Sequence, residues 1–291
     1  MLNSHDMFAS LAAVYFPAFV ATIAMSCACA VLSLFVIARR WAFIGEGISH
    51  SGFGGAGLAW LLALAMPSLS DRPWVPYLAV VVFCLGTALA IGYMSRGDRV
   101  AGDAAIGIFL VASLAFGFLA QQVYRHVRGV DPVEFAALLF GQLNVIEPRV
   151  AMLAVLVSLA AMITLAALGK EIVSYCFDPL MAQASGVRGG FIHYLLMILI
   201  AVMIITGMPV IGALMVTALL VLPGVTATLL TRRLSSALTI SVATALLAAV
   251  AGVLINSTWR FIPVGPVIVL ILFVEFLVGY AWNRFTVSFG N

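Results

Sequence analysis

Charge is what this 291-residue sequence has least of: Asp, Glu, Lys and Arg make up 9% of it, against 64% hydrophobic residues. A soluble domain carries about 25% charged residues, so a cytosolic enzyme or a soluble binding module is excluded. The 14 basic and 11 acidic residues leave a net charge of +3, too small to call for an anionic polymer, and no nucleic-acid partner is expected. The four cysteines, Cys27, Cys29, Cys84 and Cys176, lie in or beside apolar runs without a C-x-x-C pair or a neighbouring histidine. They encode no disulfide scaffold. Cys27 and Cys29 have the makings of a soft-metal pair, but inside a strongly apolar helix a thiol behaves as a small hydrophobe. No G-x-x-x-x-G-K-[ST] phosphate loop occurs, so the chain does not hydrolyse ATP by that route. Pro-rich or Ser-rich linkers, low-complexity tracts and fixed-period repeats are also missing, which leaves one domain over residues 1–291.

What is there is a mean hydropathy of +1.20, arranged as long apolar runs divided by short polar breaks. Such runs are the pattern of a helical bundle rather than a barrel, because in lipid a helix satisfies its own backbone and a spanning helix takes ~20 residues. The expected spans are 14–38, 43–66, 74–94, 103–123, 150–168, 190–206, 210–230, 237–255 and 265–282. The fold class is therefore all-α, a polytopic integral membrane bundle of about nine helices. The count drops to eight if Gly207, Met208 and Pro209 interrupt one irregular element instead of joining two helices. Residues 1–13 lack a basic leader region and run into an apolar stretch too long for a signal peptide, so an uncleaved first span is expected. With nine spans and the N-terminus outside, Arg39, Arg40, Arg96, Arg99, Lys170, Arg188, Arg232, Arg233 and Arg284 fall inside. Arg72, Arg125, Arg128, Arg149 and Arg260 fall outside. That asymmetry predicts the C-terminus in the cytoplasm.

An ionisable group within a span costs several kcal/mol unless it meets a partner or a cavity. Glu46 and His50 stand four apart in the second span, hence on one helix face, with Ser49, Gly54 and Gly57 on or near it. A carboxylate and an imidazole so placed can share one divalent cation, and the glycines allow a helix or a hydrated ion to come close. The same spacing equally suits a hydrogen-bonded pair solvated by headgroups and Arg40. Glu275 is the other deep acid, either a proton or cation relay or a hydrogen-bonding group between helices. His193, Asp103 and Asn256 lie near span ends and are read as interfacial or capping groups. Asp98 and Asp103 are read as paired with Arg96 and Arg99 on the inner face. A serine-protease reading of Ser49-His50-Ser51 fails, because consecutive helical residues are about 100° apart and cannot form a nucleophile–base hydrogen bond.

Two breaks are longer than turns. Residues 124–149 include the apolar stretch 135–140 before Gly141, and predict a short helix on the outer surface. Residues 170–189 predict a cytoplasmic helix about two turns long, begun by Asp178-Pro179 and stopped by Gly186. A short helix across the inner surface is what a membrane subunit offers a soluble partner.

Taken together these residues resemble the permease family of the bacterial ABC importers for zinc, manganese and iron. Gly45-Glu46-Gly47-Ile48-Ser49-His50 is similar to that family's Gly-Asp-x-x-Ser/Ala-His, with Glu for the usual Asp. Asp178-Pro179-Leu180-Met181-Ala182, followed by Gly186, resembles its coupling-helix motif Asp-Pro-Glu-x-Ala-x-x-x-Gly, with Leu180 where Glu is common. Residues 210–223, from Val210 through Gly212 and Leu214 to Pro223, resemble Val-Gly-x-Leu-Leu-Val-x-Ala-Leu-Leu-x-x-Pro, and Asp131 with Leu139-Phe140-Gly141 an outer-side element. The resemblance implies a permease of the bacterial inner membrane whose coupling helix, about 176–188, docks a separate cytoplasmic ATPase through Asp178, Ala182 and Gly186. It implies delivery of metal by an extracytoplasmic metal-binding protein, and pairing with a second copy or a related permease. Glu46 and His50 match the metal-coordinating acid and histidine. The expected cargo is zinc first and manganese second, with no cofactor of the chain's own and ATP on the partner. An ion-coupled secondary metal transporter or channel, using Glu46, His50 and Glu275, is the alternative.

Overall fold

The computed structural model of the chain describes residues 4–67, 72, 74–96, 100–130, 147–259 and 262–288. Among these every regular element is helical: α1 (Ser4–Ala38), α2 (Ile44–Ala65), α3 (Val75–Ser95), α4 (Gly102–Arg128), α5 (Pro148–Ala167), α6 (Gly169–Phe177), α7 (Pro179–Ala184), α8 (Gly189–Ile211), α9 (Ala213–Leu219), α10 (Leu222–Leu230), α11 (Leu234–Thr258) and α12 (Val264–Ser288). Nine candidate spans result among the described residues, with α9 and α10 together making the seventh, Ala213–Leu230. The expected outer helix at 135–140 lies outside the described residues, as do Asp131 and Leu139-Phe140-Gly141. The fourth span runs on to Arg128, beyond the expected end at 123, and stops where Gly129 takes φ 69°.

The break between the sixth and seventh spans is at Gly212, not at 207–209. Pro209 sits in the last turn of α8, where its missing N–H interrupts only the end of the hydrogen-bond ladder. Gly212 has φ 88°, a backbone state costly for any residue with a Cβ. The chain then doubles back, so that a Cβ on Gly207 would collide with the Val216 side chain. Two helices, not one irregular element, follow from this reversal. The seventh span is broken in turn at Leu220-Val221, before Pro223 in the first turn of α10.

Two groups of helices meet across α8. One is α2 with α3 and α4; the other is α1 with α5, α10, α11 and α12, while α9 touches members of both. α8 carries the central core, burying Ile192, Leu196, Met197, Ile200, Met203, Ile204 and Ile211. Uncovered apolar residues such as Ile108, Val111 and Leu119 on α4, and Met152, Leu156 and Ile163 on α5, face outward as a lipid environment requires. The α1-to-α2 turn is closed by Trp41 N–H donating to Val36 O at 2.9 Å and Arg40 N–H to Ile37 O at 3.0 Å, with Arg40 at φ 57°. That turn buries Trp41 and starts α2 at Ile44, which places Glu46 in its first turn.

Small residues set how close α2 comes to its neighbours. A Cβ at Gly57 would stand 2.9 Å from the Ala120 methyl and 3.0 Å from Gly117 Cα, and one at Gly54 would stand 2.6 Å from the Phe83 ring. Gly54 and Gly57 therefore serve packing against α3 and α4 rather than an open path. Gly117 lies against Phe53, whose carbonyl oxygen would be 2.9 Å from an added Cβ. We expect Gly117→Leu to force α4 off α2 and cost about 3 kcal/mol, read as a lower unfolding midpoint in detergent. Gly86→Leu, with nothing within 4 Å of the added Cβ, is expected to leave the midpoint unchanged. Equal midpoints for the two variants would refute this packing argument.

Candidate functional site

Glu46 and His50 lie one turn apart on α2, and the structure joins them: His50 Nε2 is 3.3 Å from Glu46 Oε2. The His50 side chain is 20% exposed and that of Glu46 34%. Glu46 stands at the N-terminal turn of its helix, where exposed backbone N–H groups favour a negative charge. Ser49 is not part of the pair's outer face. It is buried and its hydroxyl donates to Glu46 O at 3.1 Å, within the helix backbone. Ser51 donates to Gly47 O at 2.8 Å and its Oγ is 3.5 Å from Ser113 Oγ, so it is spent on the α2–α4 contact.

The residue that sequence reasoning missed here is Thr217. It stands against the start of α2, next to Glu46: its methyl would be 3.0 Å from a Cβ on Gly45, and its Oγ1 donates to Leu214 O at 2.9 Å. The signal available was a lone hydroxyl inside the apolar run 210–223, but nothing in the run says which helix it faces. On the other side of the pair, His50 Nδ1 is buried with no hydrogen-bond partner. A buried polar atom left unpaired costs about 1–3 kcal/mol, so the pair is chemically incomplete within one chain. An imidazole that donates Nε2–H to a carboxylate presents its Nδ1 lone pair to a cation, the usual way a carboxylate orients a metal-binding histidine. No group of three or more His, Cys, Asp or Glu occurs among the described residues. One chain thus brings together one carboxylate and one imidazole, with Thr217 beside them.

Glu275 is not brought to this pair: α12 packs on α9, α10 and α11, and no cluster unites the three acidic and imidazole groups. Its Oε2 is buried without a hydrogen-bond partner, so the expected bond from that oxygen to a neighbouring helix is not made. Asn256 caps the α11–α12 connection through Nδ2–H to Ile262 O at 2.7 Å, as expected of a span-end group. Cys27, Cys29, Cys84 and Cys176 are free thiols.

The inner end of α8 departs most from expectation. His193 is a buried junction, not an interfacial cap: its Nε2 is 2.9 Å from Gly92 O and its Nδ1 3.0 Å from the Tyr175 hydroxyl. A carbonyl only accepts, so Nε2 carries the proton and donates to Gly92 O, while Nδ1 accepts from Tyr175. Trp41 and Tyr194 stand edge-on to the ring at 5.2 and 5.4 Å. The Arg39 guanidinium lies over Tyr175 at 4.5 Å and near Trp41 at 5.5 Å. Burial pushes the Tyr175 phenol up, with Arg39 pulling the other way. Burial likewise pushes the Cys176 thiol up to about 12, against the pull of Arg39, so it stays neutral and unreactive. Asp98 and Arg99 lie outside the described residues, and Asp103 makes no ion pair among them. Arg96 instead lies 5.8 Å over the Tyr194 ring.

α7 has the start and stop that its sequence announces. Asp178 accepts Met181 N–H at 3.0 Å, Pro179 opens the helix, and Gly186 ends it at φ 78° with Val187 N–H bonded to Ala182 O at 2.9 Å. Ala182 is only 1% exposed and packs inward on the chain itself, whereas Leu180 and Met181 are 79% and 61% exposed. The large apolar side chains on the outward face of α7 are therefore Leu180 and Met181.

The ABC 3 transport family matches residues 12–283. The manganese transport system membrane protein MntC of Halalkalibacterium halodurans is 30% identical over 266 residues, covering 91% of this chain and 86% of that protein. The chelated iron transport system membrane protein YfeD of Yersinia pestis is 28% identical, with 92% and 84% covered. Among solved structures, PsaBC from Streptococcus pneumoniae in complex with Fab superposes with a TM-score of 0.72 at 26% identity, covering 90% of this chain and 89% of that one.

Proposed function

The chain belongs to the ABC 3 transport family, and from that premise we propose that it carries a divalent transition metal inward past Glu46 and His50, driven by a separate ATPase. The chain is a permease of an ABC metal importer and a multi-pass protein of the bacterial inner membrane. The observation that supports a metal path past these residues is the Glu46–His50 pair, joined on one helix face, with His50 Nδ1 buried and unpaired. As the pair stands, Nδ1 is the free donor and Glu46 orients the ring; Glu46 becomes a second ligand only when that hydrogen bond opens, and so sparse a donor set holds a metal weakly, which suits a site that must release it. Two copies of the chain, or this chain with a related permease, would double the N and O donors and complete a coordination shell.

We place manganese ahead of zinc, reversing the order expected from the sequence. The relatives quoted above are named for manganese and iron, and the donors that meet here, a carboxylate, a hydroxyl neighbour and one imidazole, make an oxygen-rich set that suits manganese. An extracytoplasmic metal-binding protein would supply the cargo from outside. The cytoplasmic ATPase would dock on the outward face of α7, with Asp178 and Gly186 fixing the helix ends and Ala182 seating it on the chain.

The test is dependence on the partner. Reconstituted alone in liposomes, the chain is expected to pass no manganese, zinc or iron under a proton or sodium gradient, since it has no phosphate loop and Glu275 stands apart from the pair. Gradient-driven metal uptake by the lone chain would establish the secondary-transporter alternative instead.

A further inference from the structure

At the inner ends of the third and sixth spans an open cleft of about 760 Å³ is lined by Arg96, Tyr175, Gln183, Arg188, His193 and Tyr194, with the first residues of α8 as its floor. The charge there is one-sided. Arg96 reaches over the start of α8 so closely that a Cβ on Gly190 would be 2.5 Å from its Nη2. Arg188 is the N-cap of the same helix, and Arg39 stacks on the back of Tyr175 with its Nε buried and unpaired. The N-terminus of a helix is already its positive end, so two guanidiniums against it stand where anions, not cations, are stabilised. Among the described residues no carboxylate pairs with Arg39, Arg96 or Arg188; the ion pairs found there are His50–Glu46 and Arg149–Glu147. The ligand that such a charge favours is an anion.

We propose that this cleft seats the phosphate of an anionic phospholipid headgroup from the inner leaflet, held by Arg96, Arg188 and the first turn of α8. Guanidiniums bind phosphate in a planar fork, and basic pockets between spans on the cytoplasmic side fit such headgroups. A lipid fits better than free phosphate for two reasons. The cleft lies at span ends beside Trp41, Tyr175 and Tyr194, aromatic residues typical of headgroup depth. Its rim also carries Phe191, 58% exposed, which offers apolar contact to an acyl chain. Gln183 and the Tyr194 hydroxyl are left for the headgroup's own polar groups. The proposal rests on the inward placement of α6 and α7 but not on the metal site, and its test uses no metal.

The experiment titrates the delipidated full chain with phosphatidylglycerol, phosphatidylcholine or inorganic phosphate and counts bound lipid by native mass spectrometry. Wild type is expected to prefer phosphatidylglycerol, and inorganic phosphate is expected not to displace it. The exposed pair Arg96→Gln with Arg188→Gln is expected to weaken phosphatidylglycerol at least about tenfold without changing phosphatidylcholine, and Arg96→Lys with Arg188→Lys to recover only part of the loss, because an ammonium keeps the charge but not the bidentate fork. Equal retention of the two lipids by wild type, or unchanged phosphatidylglycerol binding in the glutamine pair, would overturn the proposal. Displacement by inorganic phosphate would also overturn it, making the cleft a free-phosphate site. So would loss of ATPase co-purification in the glutamine pair with lipid retention intact, which would mark the arginines as contacts for acidic side chains. The wild-type arms need no variant, so a misfolded mutant leaves the test standing.

Discussion

His50→Ala and Glu46→Gln should each lose manganese uptake by about 100-fold or more in the complete transporter while the chain still folds and still retains its ATPase. Among the described residues, the first removes the imidazole of the site and the second its negative charge; losing even a group that merely orients a ligand costs about 10–100-fold in affinity. Both side chains are partly exposed, so neither truncation empties a packed core, and the unfolding midpoint should move little. Removing His50 also removes an unpaired buried nitrogen, which makes a small stabilisation the expected direction of any shift in the apo protein. A structural pair predicts the opposite pattern: loss of stability in the double variant with metal content intact. The measurement is bound manganese and zinc per folded chain in wild type, both single variants and the double. Unchanged metal in Glu46→Gln and His50→Ala would return the pair to a hydrogen-bonding role. Because protons compete with metal for both ligands, wild-type metal content should also fall on acidification.

The second large effect concerns α7. Leu180→Asp combined with Met181→Asp should abolish ATPase co-purification and transport while the purified chain keeps its metal content and its melting behaviour. These two side chains are 79% and 61% exposed, so the substitutions place charge on a docking surface and not in the chain's interior. Ala182→Arg is a different experiment. With Ala182 1% exposed, the arginine has no room and would push α7 off the body of the protein, losing docking through misplacement. Gly186→Pro would do the same at the helix end, since proline holds φ near −65° and Gly186 needs 78°. Full recovery of the ATPase with the Leu180 and Met181 pair replaced would remove α7's outward face from the docking assignment.

How much of this was written locally can be judged from particular residues. The Glu46–His50 pair needed only the helical repeat, because residues four apart share a face whatever the helix touches. The ends of α7 were equally local: Asp178 caps and Pro179 opens through bonds within four residues, and Gly186 stops the helix by its own backbone conformation. The spans themselves follow from hydropathy, since lipid leaves an apolar run no state but a helix. Even so, local signals ended the fourth span five residues early and misplaced the break between the sixth and seventh. Pro209 is the stronger breaker by residue type, but near the end of a helix its missing donor costs little, and the reversal is set by the glycine that can take a positive φ.

Contacts between helices were not legible, and the reason is specific to a membrane protein. In water the apolar stripe of a helix marks the face it buries; in a bilayer both faces are apolar, so the stripe carries no such information. Hence the sequence could not say that Thr217 stands next to Glu46, that Ala182 turns inward while Leu180 turns out, or that His193 joins Gly92 to Tyr175 across three helices. Nor could it say that Arg96 comes to rest on the start of a helix nearly a hundred residues further along. By itself the sequence determined that the chain is a bundle of about nine spanning helices, where most of them run, and which polar groups ride on each. The tertiary structure alone decided which of those groups meet, because meeting depends on the close approach that glycines and small side chains permit between helices far apart in the chain.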